Sequence, residues 1–179
     1  MRAAALALSV LLALGGCASL KHQTAAVGEG DLHLSGRLSV QVAGVAGGKA
    51  SGGNGAFELT GQPKAGQLEL ATPLGSLVAR AIWRDGDVRL QTPEDERRFD
   101  DLDALTREML GEAIPVAALF DWLQGRPWPQ AANVPAGTGA SSGFEQLGWQ
   151  IDLAHFSEGL IVATRSAEPV VVLKARIDK

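Results

Sequence analysis

A single cysteine, Cys17, and no tyrosine occur in the 179 residues, and aromatic side chains make up only 5% of them. One thiol excludes an intramolecular disulfide and a dithiol redox site. A dominant charge is also missing: 16 Lys and Arg stand against 20 Asp and Glu, a formal net charge of -4, with no basic block of the kind that neutralises phosphates. Nucleic acid is therefore not an expected partner. His22, His33 and His155 are scattered, with no His-Glu-x-x-His motif and no Gly-x-Ser-x-Gly elbow between a strand and a helix, since Gly139 to Gly143 lies in a Pro-, Gly-, Ala- and Ser-rich stretch. No enzyme chemistry, cofactor or metal is expected from such a chain. Long apolar runs are lacking too. The longest, Ala3 to Leu14 broken only by Ser9, is well short of the ~20 residues that a membrane-spanning helix needs.

That short run is nevertheless informative. Arg2, the apolar stretch and then Leu14-Gly15-Gly16-Cys17 have the layout of a lipoprotein signal, with small residues before a cysteine. Residues 1–16 are read as a removable signal peptide, and Cys17 as the lipid-carrying first residue of the mature chain. A permanent signal anchor is the weaker reading, because the run is too short. The segment resembles a lipobox, which implies thioether linkage of Cys17 to diacylglycerol. Ala18 stands where Asp would favour inner-membrane retention in the lipoproteins it resembles, which points to the outer membrane. Residues 17–30 are polar and periodless after the cysteine, as suits a tether, and 31–179 form one domain.

Period-2 alternation opens the domain. Leu32, Leu34, Leu38, Val40 and Val42 alternate with polar residues, with Gly36 on the inward set, as in a half-buried strand. The Gly- and Ala-rich stretch Ala43 to Gly55 reads as a hairpin loop. Phe57 with Leu59, Leu68 with Leu70, and Leu77, Ala79, Ala81 with Trp83 repeat the alternation, and Arg84-Asp85-Gly86-Asp87 reads as a turn into a strand with Val88 and Leu90. From Phe99 the period becomes helical: Leu102, Leu105, Met109 and Leu110 step by three or four up to Gly111, and the acids Glu94-Asp95-Glu96 and Asp100-Asp101 are read as solvated charges at the helix start. A second helix is expected from Pro115, with Val116, Leu119, Phe120 and Leu123 on one stripe, to Gly125. Strands are expected again after a second loop, 127–143: Leu147, Trp149, Ile151 and Leu153 alternate, Leu160 and Val162 follow, and Val171, Leu173, Ala175 and Ile177 close the chain. The expected fold class is mainly β with α, a curved antiparallel sheet with two helices across its concave face.

The ordered set Gly36-Arg37-Leu38-Ser39-Val40, Phe57 with Leu59, Pro73-Leu74-Gly75, Leu119 with Trp122-Leu123-Gly125-Arg126-Pro127, and Gly148-Trp149, behind a lipobox, resembles the LolB family of outer-membrane lipoprotein receptors. The resemblance implies an unclosed antiparallel β-barrel, a half-barrel, with a helical lid over an apolar cavity. It implies a monomeric receptor that takes lipoprotein acyl chains from the periplasmic carrier LolA and inserts them into the outer membrane. Leu74, with Pro73 and Gly75, becomes the protruding loop that touches membrane or cargo; the plain alternative is a turn leucine folded back on the core. Leu38, Val40, Phe57, Leu59, Leu68, Leu70, Phe120, Trp122, Leu123 and Trp149 become the acyl-chain cavity, although core packing explains the aromatics about as well. A structural or assembly lipoprotein, scaffolding envelope proteins without acyl transfer, is the alternative function.

One expectation is testable without any structure. Cys17→Ala removes the thiol that takes the lipid, so radioactive fatty acid fed to cells should label the parent protein and not the variant. Persistent label on the variant contradicts the anchor assignment.

Overall fold

The computed structural model describes residues 31–44, 49–136 and 142–178. Cys17 and the segments assigned to signal and tether lie outside the described residues. Six strands come first: β1 (Leu32–Val42), β2 (Ser51–Gln62), β3 (Ala65–Ala71), β4 (Leu77–Arg84), β5 (Asp87–Gln91) and β6 (Glu96–Phe99). The helices α1 (Leu102–Leu110) and α2 (Val116–Trp122) follow, and then β7 (Asn133–Pro135), β8 (Gly143–Gln146), β9 (Trp149–Asp152), β10 (Leu160–Arg165) and β11 (Val171–Ile177).

All the strands belong to one antiparallel sheet in the order β6-β5-β4-β3-β2-β1-β11-β10-β9-β8-β7. The first and last strands lie side by side at its centre, with Val42 opposite Val171 and Gly36 opposite Ile177. β6 and β7 are its two ends and do not pair with each other, so the sheet is an open half-barrel. Alternation works as expected on β1, where Gly36, Val40 and Val42 are buried, and on β11, where Val171, Leu173 and Ala175 are. Buried Val88 and Leu90 of β5 belong to the same core cluster as Trp149 and Ile151 of β9. Strands so far apart in one sheet can share a core only if the sheet curls.

The helix boundaries follow from capping chemistry. The Asp101 side chain accepts a hydrogen bond from the Ala104 N–H at 2.7 Å, and Gly111 adopts the left-handed conformation, φ 83°, that closes a helix. α2 is less amphipathic than expected, because Ala118, Asp121 and Trp122 are buried along with Val116, Leu119 and Phe120. It packs inside the half-barrel, and α1 is the helix that covers the concave face.

Several sequence expectations are corrected. β2 begins at Ser51 and takes in Gly52 to Gly55 as paired strand, with Gly53 opposite Val40 and Gly55 opposite Leu38; a long partner offering backbone hydrogen bonds outweighs the weak strand preference of glycine. The acids Glu94 to Glu96 belong to the turn and first residue of β6, not to a helix start, and Glu96 meets Arg89 at 3.4 Å. Leu147 does not share a strand face with Trp149: it sits with Gly148 in the β8–β9 turn at φ 53°. On β10 the buried residues are Ile161 and Ala163 rather than Leu160 and Val162.

One buried polar side chain joins the short strands to α2. Gln146 is 2% exposed. Its oxygen accepts from the Trp122 indole N–H at 2.8 Å and the Trp128 backbone N–H at 2.9 Å, and its amide donates to the carbonyls of Trp128 and Ala131 at 2.8 Å each. A fully satisfied polar hub is stable, whereas an emptied one leaves every partner unpaired. Gln146→Leu keeps the volume and removes all of these bonds, so urea unfolding should show a loss of at least about 3 kcal/mol. A loss under about 1 kcal/mol contradicts this role.

Candidate functional site

Between the concave face and α1 the structure leaves a cavity of about 240 Å³. Leu38 and Val40 of β1, Leu68 and Leu70 of β3, and Ala79, Ala81 and Trp83 of β4 form its sheet wall; Leu102, Leu105, Met109 and Leu110 of α1 form its roof. The polar side chains on the lining are Asn54 and Thr106. The Thr106 hydroxyl is already engaged, donating to the Asp103 carbonyl at 3.3 Å and accepting from the Ile114 N–H at 3.0 Å. Such a wall offers little to a polar ligand and much to a hydrocarbon.

The void is made by small residues where large ones would fit. Gly53 continues the inward parity of buried Phe57 and Leu59, and a Cβ added there would meet nothing within 4 Å. Ala71, Ala79 and Ala81 complete the low part of the wall. The ring of Trp83 is held down by two features. Its N–H donates to the Pro63 carbonyl at 3.2 Å, and it lies over Gly66, where a Cβ would come within 2.7 Å of the ring.

The cavity opens beside the β3–β4 loop. A register shift sets Ala71 opposite Leu77 and Leu70 opposite Ala79, leaving Val78 as an extra residue in β4. Val78 is 47% exposed and also lines the cavity, so it stands at the mouth. The neighbouring loop spends its polar groups on itself: Thr72 N–H donates to the Ser76 carbonyl and Gly75 N–H to the Thr72 carbonyl, each at 2.9 Å. Leu74 is pushed outward and is 95% exposed, which excludes the reading in which it folds back on the core.

α1 is tied at its margins by polar contacts. The Ser51 hydroxyl donates to the Leu110 carbonyl at 2.6 Å, and Arg97 meets Glu108 at 3.1 Å. Just beyond the helix, Glu112 pairs with Arg165 of β10 at 3.0 Å. The hydrogen bond from Arg165, with a second from the Ala113 backbone N–H, holds the Glu112 carboxyl below its usual range. A lowered carboxylate pKa contributes stability above the ordinary Glu value and loses it as pH falls through the folded value, so acid loosens this tie.

Of the residues assigned to the cavity, Leu38, Val40, Leu68 and Leu70 line it. Phe57, Leu59, Phe120, Trp122, Leu123 and Trp149 are absent from the lining and are buried in the core: Val116 and Leu119 of α2 reach the cavity, but the aromatic residues of α2 pack against Trp83 and Trp149, and the open space lies mainly under α1. Pro73, Leu74 and Gly75 are all exposed in the mouth loop, and Cys17 is outside the described residues. Sequence reasoning missed Val78, because a bulge shifts strand parity without a sequence mark. It also missed Gly53 and the α1 stripe as cavity wall, although the alternation through Phe57 and Leu59 extends back to Gly53. His33 and His155 are exposed partners of Glu58 and Glu158, and the Glu158 hydrogen bond raises the His155 pKa. Among the described residues no three His, Cys, Asp or Glu side chains gather to hold a metal. No described helix is long and apolar enough to cross a membrane.

The family model described as "Outer membrane lipoprotein LolB" matches residues 31–168. Similar proteins include the outer-membrane lipoprotein LolB of Bordetella petrii, 33% identical over 171 residues that cover 90% of this chain and 84% of that protein. The LolB of Thiobacillus denitrificans is 34% identical, covering 87% and 84%. That of Bordetella pertussis is 35% identical, covering 82% and 75%.

Gly53 supplies a test of the cavity that does not disturb the core. Gly53→Leu directs a side chain into open space, so thermal unfolding should be unchanged or slightly raised, while a fluorescent fatty acid should bind at least about tenfold more weakly. Undiminished binding places the hydrocarbon elsewhere.

Proposed function

Because the chain belongs to the LolB family of outer-membrane lipoproteins, we propose that it is an outer-membrane receptor that takes lipoprotein acyl chains from the periplasmic carrier LolA and passes them into the membrane. It is a monomer held to the periplasmic face of the outer membrane by the lipid on Cys17. The observation that carries this reading is an apolar cavity, left open beneath a helix, with a fully exposed leucine at its mouth.

The physical need is large. An acyl chain of ~16 carbons in water costs on the order of 13 kcal/mol, at ~0.8 kcal/mol per methylene. Transfer therefore requires a continuous apolar path, and no covalent step is involved. An aliphatic cavity of about 150 Å³ accepts a benzene ring, so the cavity of about 240 Å³ seen here holds part of one acyl chain while α1 is down. Full loading requires α1 to lift. Its ties suit that movement, because the exposed Arg97–Glu108 pair contributes only about 0 to 1 kcal/mol, and the more buried Glu112–Arg165 pair lies beyond the end of the helix. The apolar underside of α1 then exchanges a sheet contact for a lipid contact.

The direct test mixes LolA carrying a lipoprotein with the lipid-anchored protein on liposomes. Cargo moving to the liposomes supports the receptor, whereas cargo staying on the carrier favours a scaffolding lipoprotein. Leu74 separates delivery from folding. Since it is already exposed, Leu74→Glu should cost far less than the ~2 to 5 kcal/mol of truncating a buried leucine. Melting and uptake from the carrier should stay near those of the parent, with release into liposomes impaired by the desolvation of a carboxylate. Full-rate release removes Leu74 from the mechanism.

A further inference from the structure

Alternate connections of an up-and-down sheet lie on the same rim. The rim that carries Leu74 in the β3–β4 loop therefore also carries the β8–β9 and β10–β11 turns. The large exposed aliphatic residues of those connections are Leu74, Leu147 at 46% and Val170 at 37%. Phe156 is exposed on the opposite rim, but its ring packs on Gly125, where a Cβ would come within 2.7 Å of it. The free aliphatic tips share one rim with the cavity mouth.

Leu147 is the informative one, because local chemistry argues against it. With Gly148 it forms the two-residue turn between β8 and β9, at φ 53° and 76°. Turns with both central residues at positive φ favour Asn-Gly or Asp-Gly. Leu147 is the only non-glycine residue at positive φ among the described residues, and a leucine there is strained as well as exposed. Folding gains nothing from it. The turn is nevertheless rigidly placed, since its flanking residues Gln146 and Trp149 are 2% and 3% exposed.

We propose that the Leu147–Gly148 turn is a second membrane-seating element, which with the Leu74 loop rests the open rim of the half-barrel on the lipid surface. This rests on the reading of the Leu74 loop as membrane-facing. A fluid lipid surface is the occupant because the tips project singly from separate turns. A stable protein–protein interface buries at least about 1,000 Å² over the two partners together, whereas isolated aliphatic tips can each enter hydrocarbon alone. Two contact points several strands apart would also orient the rim, which one leucine on one loop cannot do.

The test uses the full mature protein with its lipid on Cys17, on vesicles of phosphatidylethanolamine and phosphatidylglycerol containing a brominated lipid. A polarity-sensitive fluorophore is placed on Leu74→Cys, Leu147→Cys or, on the opposite rim, Asp85→Cys. Quenching by the lipid bromine is expected at positions 74 and 147 and not at 85. Quenching at 74 alone overturns this inference and leaves the receptor reading standing; quenching at neither overturns both. Shielding of position 147 from a water-soluble quencher by the carrier, and not by vesicles, overturns it in favour of a protein contact. Leu147→Asn adds a measurement immune to misfolding, because asparagine suits the turn. Its unfolding midpoint should equal or exceed that of the parent while cargo release into vesicles slows about tenfold, and unchanged release contradicts the proposal.

Discussion

Everything in this half-barrel depends on how α2 is held inside it. Phe120 packs edge-on against Trp83 of β4, with ring centroids 6.0 Å apart, and Trp122 packs against Trp149 of β9, also at 6.0 Å. The Trp122 N–H is fixed at the same time by buried Gln146 of β8. One short helix therefore spans the concavity and ties both wings of the sheet. An open sheet of this size has no closing strand pair to set its curvature, and the aromatic contacts of α2 supply that constraint. With the wings fixed, α1 must cover what concave surface remains, and its side chains do not fill it.

An unfilled apolar space is costly. At ~24 cal/mol per Å³, a dry cavity of this volume forfeits on the order of 5 kcal/mol of packing. Larger side chains at Gly53, Ala79 or Ala81 would recover part of that. Their absence is intelligible if the space serves a hydrocarbon that arrives and leaves, so that the unliganded fold is kept short of its best packing. The division of labour is visible in the contacts: α2 is buried nearly all round, whereas α1 is apolar beneath and is tied toward its C-terminal end by the Ser51 and Thr106 hydroxyls and two ion pairs.

Much of this was legible in the residues. Period-2 alternation located β1, β3, β5 and β11, and an Asp-Gly pair marked the β4–β5 turn. Asp101 and Gly111 bounded α1. What stayed hidden depended on tertiary partners. Gly52 to Gly55 look like loop and become strand because β1 offers them a complete ladder. Val78 reaches the mouth through a bulge that only the pairing of β3 with β4 produces. Phe120 and Trp122 could serve core or cavity equally well on sequence grounds, and their absence from the lining, which α2 reaches only through Val116 and Leu119, decides for core. Leu147 looked like one more inward strand residue because its period matched Trp149. The parity was right by count and wrong by geometry, since a tight turn intervenes.

The central claim is that acyl chains enter between α1 and the sheet by displacement of the helix. It can be tested by fastening that helix. A Cβ built at Gly111 lies 3.9 Å from the Ser51 Cβ, within the ~3.5 to 4.5 Å span of a disulfide; the positive φ of Gly111 strains any side chain there, and the reduced form carries the same strain and so serves as the control. In the protein carrying Ser51→Cys and Gly111→Cys, with the lipid on Cys17, uptake of a lipoprotein from LolA should be blocked when oxidised and restored by reductant. Equal uptake in both states would show that the chains bypass the space under α1.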